Sequence, residues 1–180
     1  VGAHLEKWGI PYQNITELNW WESTDLDSVS LVFTPSRHFS GRGLNNRFST
    51  LWGSWVIQGR SQRIFFGGDS GYYPGFKKIG EKYGPFDLAF LECGAYNENW
   101  SEIHMMPEET VQASHDLNSK LLMPIHWGKF NLALHPWKEP IQRAITKGDE
   151  LNVNIITPEI GEVVTLEDRL KTKSWWKSYQ

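Results

Sequence analysis

Short runs of apolar residues, rich in β-branched and aromatic side chains, alternate along this chain with polar segments. Runs of this length and composition are typical of β-strands. The polar segment Gly59–Gln62 joins two of them and predicts a hairpin connection. The predicted strands are Ile15–Leu18, Val29–Thr34, Ser54–Gln58, Arg63–Phe66, Asp87–Leu91, Leu121–Ile125 and Val153–Thr157.

Three further segments have the apolar spacing of amphipathic helices: Pro74–Tyr83, Pro107–Leu117 and Pro140–Asn152. Each begins with proline, which the first turn of a helix tolerates well. Several strands come first along the chain, and strands and helices then alternate. This order predicts an α/β layered domain.

Composition narrows the range of partners. The 180 residues include 18 Lys and Arg against 21 Asp and Glu, for a net charge of -3, so no nucleic-acid partner is expected. No apolar run approaches the roughly 18 residues that a membrane-spanning helix needs. Residues 1–166 are predicted to form one folding unit, and residues 167–180 a C-terminal tail.

Three predicted strands are each followed by a residue type that binds metals. His38 follows Val29–Thr34, Asp69 follows Arg63–Phe66, and His126 follows Leu121–Ile125. Ligands of α/β sheets bind at the carboxyl ends of strands, so these side chains could converge. Two imidazoles and a carboxylate suit zinc.

A simpler interpretation of the same residues stays open at this point. A histidine after a strand is often a solvated or hydrogen-bonded loop residue. An aspartate flanked by glycines, such as Asp69, is often a turn residue. Spacing alone does not decide between the two interpretations.

Seven motifs bear on this choice. The motifs are Thr34-Pro-Ser-Arg-His38, Leu51-Trp-Gly-Ser-Trp55, Phe66-Gly-Gly-Asp-Ser-Gly-Tyr72, Gly84-Pro-Phe-Asp-Leu88, Gly94-Ala-Tyr96, His104-Met-Met-Pro-Glu-Glu109 and Ile125-His-Trp-Gly-Lys-Phe130. Together they closely resemble the metallo-β-lactamase superfamily, and within it the branch of N-acyl-phosphatidylethanolamine-hydrolysing phospholipase D and its bacterial relatives. The resemblance runs in order from Val1 to Val164.

The resemblance implies an αββα sandwich with a binuclear zinc centre and a metal-bound hydroxide as nucleophile. It implies that His38 binds one metal, His126 binds the other, and Asp69 bridges both. His104 matches a family histidine near the active site, which implies substrate contact or proton transfer. The implied reaction is phospholipase D-like hydrolysis of a small-molecule or lipid phosphodiester. Asp69 and His104 are the implied catalytic residues.

One motif of the family is absent from the sequence. The family takes its other metal ligands from a His-x-His-x-Asp-His motif, and no two histidines here are two residues apart. The chain is therefore expected to correspond to the C-terminal half of the fold, with one sheet face uncovered. A separate or cleaved N-terminal half, or a second copy in a homo-oligomer, is expected to cover that face.

This expectation has two functional consequences. Three ligands shared between two metals hold either one weakly, so the chain alone is expected to be inactive. The alternative function is a catalytically silent fragment or assembly module that needs a second chain. A cytoplasmic or membrane-peripheral location is expected. A metal-independent hydrolase has little support, because Ser70 and Cys93 lack the glycine pattern of a nucleophile elbow.

Several other residues are candidates for substrate binding. His135 could line the mouth of the pocket, and Arg37 and Arg42 could meet a phosphate, although exposed loop residues of these types are often only solvated. Glu92 ends a fourth strand but is not assigned as a ligand. Five aromatic residues could shape an acyl channel or belong to the core; they are Trp52, Trp55, Trp127, Phe130 and Trp137.

Overall fold

The described residues form one mixed β-sheet of six strands, flanked by helices. The computed structural model describes residues 1–41, 43, 45–130, 133–166 and 173–179. Six strands lie side by side in chain order; the first four are antiparallel, and the last two continue the sheet in parallel. The strands are β1 Ser23–Leu26, β2 Val29–Thr34, β3 Ser54–Gln58, β4 Arg63–Phe66, β5 Leu88–Glu92 and β6 Leu122–Ile125.

The described residues also form four α-helices. They are α1 Gly2–Lys7, α2 Gly75–Tyr83, α3 Pro107–Asp116 and α4 Glu139–Leu151. Proline opens α3, and the Glu109 carboxylate accepts the Met106 N–H at 2.9 Å, which caps the first turn. No helix in the described ranges is long and apolar enough to cross a membrane.

The strand residues alternate between a buried face and a more open face. Buried side chains from β2 to β6 pack with side chains of α2, α3 and α4 to form the core. Phe65 at the centre is fully buried and lies against Phe76 and Phe86. The core residues contributed by the strands are Val32, Val56, Phe65, Ala89, Leu91 and Leu122.

The open face of the sheet carries apolar side chains that are only partly covered. Phe66 in β4 is 41% exposed, although its neighbour Phe65 is fully buried. The segment from Glu162 to Leu166 lies over part of this face, where it lines a cavity of about 530 Å³ with Ile64 and Phe90. The partly buried apolar residues of the open face are Leu31, Trp55, Ile57, Ile64, Phe90 and Met123.

The observed architecture confirms the predicted α/β class. Strands β2, β3 and β4 have the predicted bounds, and β5, β6 and the helices α2 to α4 differ by one residue at one or both ends. The sequence prediction missed β1, which is short and largely polar and is defined by its antiparallel pairing with β2. It also missed the short helix α1.

Two predicted strands are wrong. Ile15–Leu18 forms no strand, because no described strand pairs with it; its Glu17 carboxylate accepts hydrogen bonds from the N–H groups of Val1 and Gly2. Val153–Thr157 makes a single bridge, between Ile155 and Leu122. Both segments have strand-like composition, but a β-strand also requires continuous backbone pairing with a neighbouring strand, which composition does not reveal.

The described part of the predicted tail packs on the rest of the molecule. Trp176 is only 1% exposed, and Trp175 stacks on Trp127 with ring centroids 5.3 Å apart. Lys173 O accepts a hydrogen bond from Thr157 Oγ1 at 2.8 Å. Residues 167–172 and 180 lie outside the described residues, and the boundary at residue 166 stays a prediction.

Candidate metal centre

Three loops bring His38, Asp69 and His126 to one edge of the sheet. They follow β2, β4 and β6, respectively. The His126 Nε2 atom lies 3.8 Å from Asp69 Oδ1. Ligand atoms of His38, Asp69 and His104 all lie within 4.8 Å of one another. The structure therefore brings together the residues that the strand-end pattern singled out, and their role as ligands stays a prediction.

Backbone contacts fix the loop that carries His38. The Arg37 N–H donates to Ser70 Oγ at 2.9 Å, and the Gly71 N–H donates to Arg37 O at 2.9 Å. His38 Nδ1 lies 2.9 Å from the carbonyl oxygen of Phe39. A carbonyl beside Nδ1 favours the proton on that nitrogen, which leaves Nε2 as the ligand atom.

Glycines allow the site loops to approach one another closely. A Cβ atom on Gly71 would lie 2.1 Å from Glu102 O, and one on Gly94 would lie 2.1 Å from His126 O. His126 itself has a φ angle of +63°, which is uncommon for a residue other than glycine. Backbone strain of this kind clusters at functional sites, where the surrounding fold enforces it.

His104 lies in the loop before α3, close to both of the other site histidines. Its ring centroid is 5.3 Å from that of His38 and 5.7 Å from that of His126, and it stacks on the latter at 6°. The His104 side chain is 13% exposed, whereas that of Asp69 is 42% exposed. His104 therefore forms the inner wall of the site, and Asp69 lies nearer the solvent.

Glu92, at the end of β5, is the site residue that the sequence interpretation passed over. Its side chain is fully buried, and its Oε1 atom accepts the Met105 N–H at 2.6 Å. Oε1 also lies 3.5 Å from His104 Nδ1, and Oε2 lies 4.0 Å from His126 Nδ1. Its position at a fourth strand end was the available signal.

Burial and charge shift the pKa values of these groups in opposing ways. Burial raises the pKa of Glu92, and this outweighs the lowering by His104, the Met105 N–H and His126. Burial lowers the pKa of His104, but the Glu92 and Asp69 carboxylates together raise it by more than burial lowers it. The net shift of the His104 pKa is therefore upward.

The donor set fits a divalent metal such as zinc. Two groups of potential ligands share His104: one also contains His38 and Asp69, and the other contains Glu92 and His126. Imidazole and carboxylate are typical zinc ligands. Two buried polar atoms in the site, Glu92 Oε2 and His104 Nδ1, lack a hydrogen-bond partner within the described residues. Such atoms are rare in folded proteins and are common where a site is built for function.

Arg37 and His135 are engaged in other contacts. Arg37 forms an ion pair with Glu102 at 2.8 Å, so a phosphate would have to compete with that carboxylate. His135 stacks on Tyr96, and its two ring nitrogens each lie 3.1 Å from a backbone carbonyl. Neither belongs to a potential ligand group within the described residues. Arg42 lies outside the described residues.

The five aromatic residues proposed for an acyl channel do not line one cavity. Trp52 and Trp55 line a cavity of about 560 Å³ that also involves the N-terminal segment. Phe130 and Trp137 line another of about 550 Å³, together with Trp175 of the tail. The structure therefore separates four of these side chains into two groups, and the fifth, Trp127, stacks on Trp175.

Comparison with known proteins identifies the family of the chain. Residues 1–127 match the family model described as the β-lactamase superfamily domain. The chain belongs to the metallo-β-lactamase superfamily. Its fold agrees with this membership. A metallo hydrolase from the archaeon Ignicoccus hospitalis superposes on 93% of this chain and 66% of its own, with a TM-score of 0.69 and 22% identity.

Two sequence relatives are longer than the chain. An uncharacterized protein of Mycobacterium tuberculosis is 45% identical over 180 residues, which cover 98% of this chain and 48% of the relative. N-acyl-phosphatidylethanolamine-hydrolyzing phospholipase D 1 of Caenorhabditis elegans is 32% identical over 188 residues, with 94% of this chain and 53% of the relative covered. The chain thus spans about half the length of these relatives.

Proposed function

We propose that this chain supplies one half of a binuclear zinc hydrolase that cleaves lipid phosphodiesters. The observation that carries the proposal is the convergence of His38, Asp69 and His126 from three separate loops. The similarity to a phospholipase D that hydrolyses N-acyl-phosphatidylethanolamine supports a phospholipid substrate.

Each site residue has a role in this proposal. His38 and His126 would each hold one metal through Nε2, and the Asp69 carboxylate would bridge the two. When bound, such metals lower the pKa of water and polarise the phosphoryl oxygen. His104, enclosed against both histidine rings, would contact the substrate or transfer a proton to the leaving group.

Zinc binding and hydrolysis test this proposal together. The sample is the longest natural polypeptide that contains this sequence, and the control is Asp149→Asn, an exposed acid on α4. We expect about two zinc ions per molecule and release of N-acylethanolamine from N-acyl-phosphatidylethanolamine. A metal-free protein after zinc addition and desalting would contradict the proposal, and zinc without lipid hydrolysis would overturn the substrate.

We further propose that the open face of the sheet is covered by the N-terminal half of the same fold. The support is the row of partly exposed apolar side chains, with Phe66 at 41% exposure. Apolar patches of this kind on soluble proteins usually mark contact surfaces. The relatives, which extend well beyond the matched region, contain the chain length needed to cover it.

Native mass spectrometry tests the covering segment. We expect the purified protein to contain polypeptide beyond this sequence, linked to it or bound as a second chain, and Phe66→Glu to weaken that association. A homodimer of this sequence alone would favour a second copy as the cover. A zinc-free monomer of this sequence alone would favour the silent fragment.

A further inference from the structure

Glu92 presents a buried carboxylate oxygen that has no hydrogen-bond donor. The side chain is 0% exposed, and Oε1 is occupied by the Met105 N–H at 2.6 Å. Oε2 is buried, and no residue in the described part of the chain donates a hydrogen bond to it. Burying a carboxylate in this way is costly unless neighbouring groups compensate it. The groups that face it are therefore informative.

The ring of His126 lies between two carboxylates. Its Nε2 atom is 3.8 Å from Asp69 Oδ1, and its Nδ1 atom is 4.0 Å from Glu92 Oε2. A histidine that binds metal through Nε2 carries its proton on Nδ1 and donates it to an acceptor. Glu92 Oε2 faces this Nδ1 atom, at a separation about 1 Å longer than a hydrogen bond.

The same carboxylate also faces His104. Its Oε1 atom lies 3.5 Å from His104 Nδ1, which is buried and has no hydrogen-bond partner. The rings of His104 and His126 are nearly parallel, at 6°, and each directs its Nδ1 atom toward Glu92. One buried side chain thus contacts a proposed metal ligand and the proposed proton-transfer residue.

We propose that Glu92 is a positioning residue that orients both histidines. It holds the proton of His126 on Nδ1, so that Nε2 faces the metal, and it keeps the His104 ring parallel to that of His126. This inference rests on the metal centre proposed above. It gives a function to a fully buried glutamate at a strand end, where an apolar residue would otherwise suit the core.

The geometry argues against Glu92 as a metal ligand. The carboxylate is completely enclosed, whereas the His126 side chain is 33% exposed and that of Asp69 is 42% exposed. Its Oε1 atom is held by the Met105 N–H. Glu92 therefore lies on the protein side of the two rings, and Asp69 lies on the solvent side.

Glu92→Gln tests this role without changing the size of the side chain. The amide oxygen can still accept the Met105 N–H, but an NH₂ group replaces the acceptor that faces His126. We expect the apparent Kd for zinc to rise about 10–100-fold, as for other outer-shell partners of metal ligands. The measurement is competition with a chromophoric chelator in the longest natural polypeptide that contains this sequence.

The matched control is Glu150→Gln, an exposed glutamate on α4 that pairs with Lys147. We expect this variant to retain the wild-type zinc affinity. The metal-free melting temperature of Glu92→Gln should stay near that of the wild type, because the Met105 contact survives. In a His126→Ala background, the same substitution should lower zinc affinity much less, because the two residues act as one unit.

A second measurement needs no variant at this position. Nitrogen-15 NMR of the zinc-loaded wild type should show the His126 proton on Nδ1 and the metal on Nε2. Metal on Nδ1 would overturn the positioning role. Wild-type zinc affinity in Glu92→Gln would also overturn it, as would the loss of an oxygen ligand from the zinc X-ray absorption spectrum of that variant. A wild type that binds no zinc would overturn the metal centre itself, so the two failures are distinguishable.

Discussion

Two groups of polar side chains in the described part of the molecule differ in how completely their hydrogen-bonding atoms are paired. In the site group, which comprises Glu92, His104 and His126, the buried atoms Glu92 Oε2 and His104 Nδ1 have no hydrogen-bond partner among the described residues. In the second group, which we call the helix group, Arg143 forms ion pairs with Glu108 at 2.7 Å and Glu139 at 3.2 Å.

The helix group is completed by aromatic contacts. Tyr96 donates to the Glu139 carboxylate at 2.5 Å and stacks on His135, and the Arg143 guanidinium lies over the Tyr96 ring, 4.9 Å from the ring centroid. Saturated pairing of this kind joins α3 to α4. The comparison teaches that residue type alone does not identify a site; unsatisfied, converging donor atoms do.

The largest effect on zinc affinity is expected from a substitution at the metal centre itself. Asp69→Ala removes the carboxylate that faces His126, and we expect zinc affinity to fall more than about 100-fold, beyond the loss from an outer-shell partner. The metal-free protein should unfold at nearly the wild-type temperature, because Asp69 is 42% exposed. Retained zinc binding in a chelator competition would refute the bridging role.

His104→Asn separates binding from chemistry within the site group. If His104 transfers a proton or contacts substrate, hydrolysis should fall about 100-fold or more, while zinc affinity changes little. Steady-state hydrolysis and zinc titration on the same preparation make this measurement. Parallel loss of zinc would instead identify His104 as a ligand shared by the two groups of donors.

Arg143→Met addresses the helix group and should affect stability rather than zinc. It removes ion pairs that are partly exposed, so we expect a loss of about 1–2 kcal/mol in the free energy of unfolding at pH 7. Urea denaturation measures this loss. A large fall in zinc affinity would show that the two groups are not independent.

The same variant has a defined pH dependence. The hydrogen bond from Arg143 lowers the pKa of Glu108 below its ordinary value. A carboxyl with a lowered pKa stabilises the folded state above its unfolded pKa, and this contribution is lost as the pH falls through the folded pKa. The stability difference between the wild type and Arg143→Met should therefore shrink in acid below about pH 4.

His135→Ala should give the smallest effect. It removes a ring that stacks on Tyr96 with centroids 4.1 Å apart, which is worth about 0.5–1.5 kcal/mol of stability. Hydrolysis should change only modestly, because both ring nitrogens contact backbone carbonyls. Complete loss of activity, measured at full zinc loading, would place His135 in the site.

The local pattern of apolar and polar residues predicted the strands that carry this pattern. Alternating apolar residues identified β2, β3 and β4, and the strand-end positions of His38 and Asp69 predicted their convergence. The polar strand β1 was missed because its existence depends on pairing with β2. Ile15–Leu18 was misassigned for the converse reason, since no described strand pairs with it.

The role of Glu92 could not be predicted because it depends on burial and on distances between loops. In the sequence, Glu92 is an acidic residue after an apolar run, with no sign that its carboxylate is enclosed beside two imidazoles. His135 illustrates the opposite case. Its proximity to His126 in sequence suggested a place at the pocket, whereas stacking on Tyr96 decides its contacts.

Pro124 in β6 has a consequence for self-association. The outer edge of β6 uses the N–H and carbonyl groups of Leu122 to pair with the segment around Ile155. Two residues further along, Pro124 offers no N–H group on that edge. A strand from another molecule could therefore not form a continuous set of backbone hydrogen bonds along this edge. Proline at this position thus protects the edge of the sheet against aggregation by strand addition.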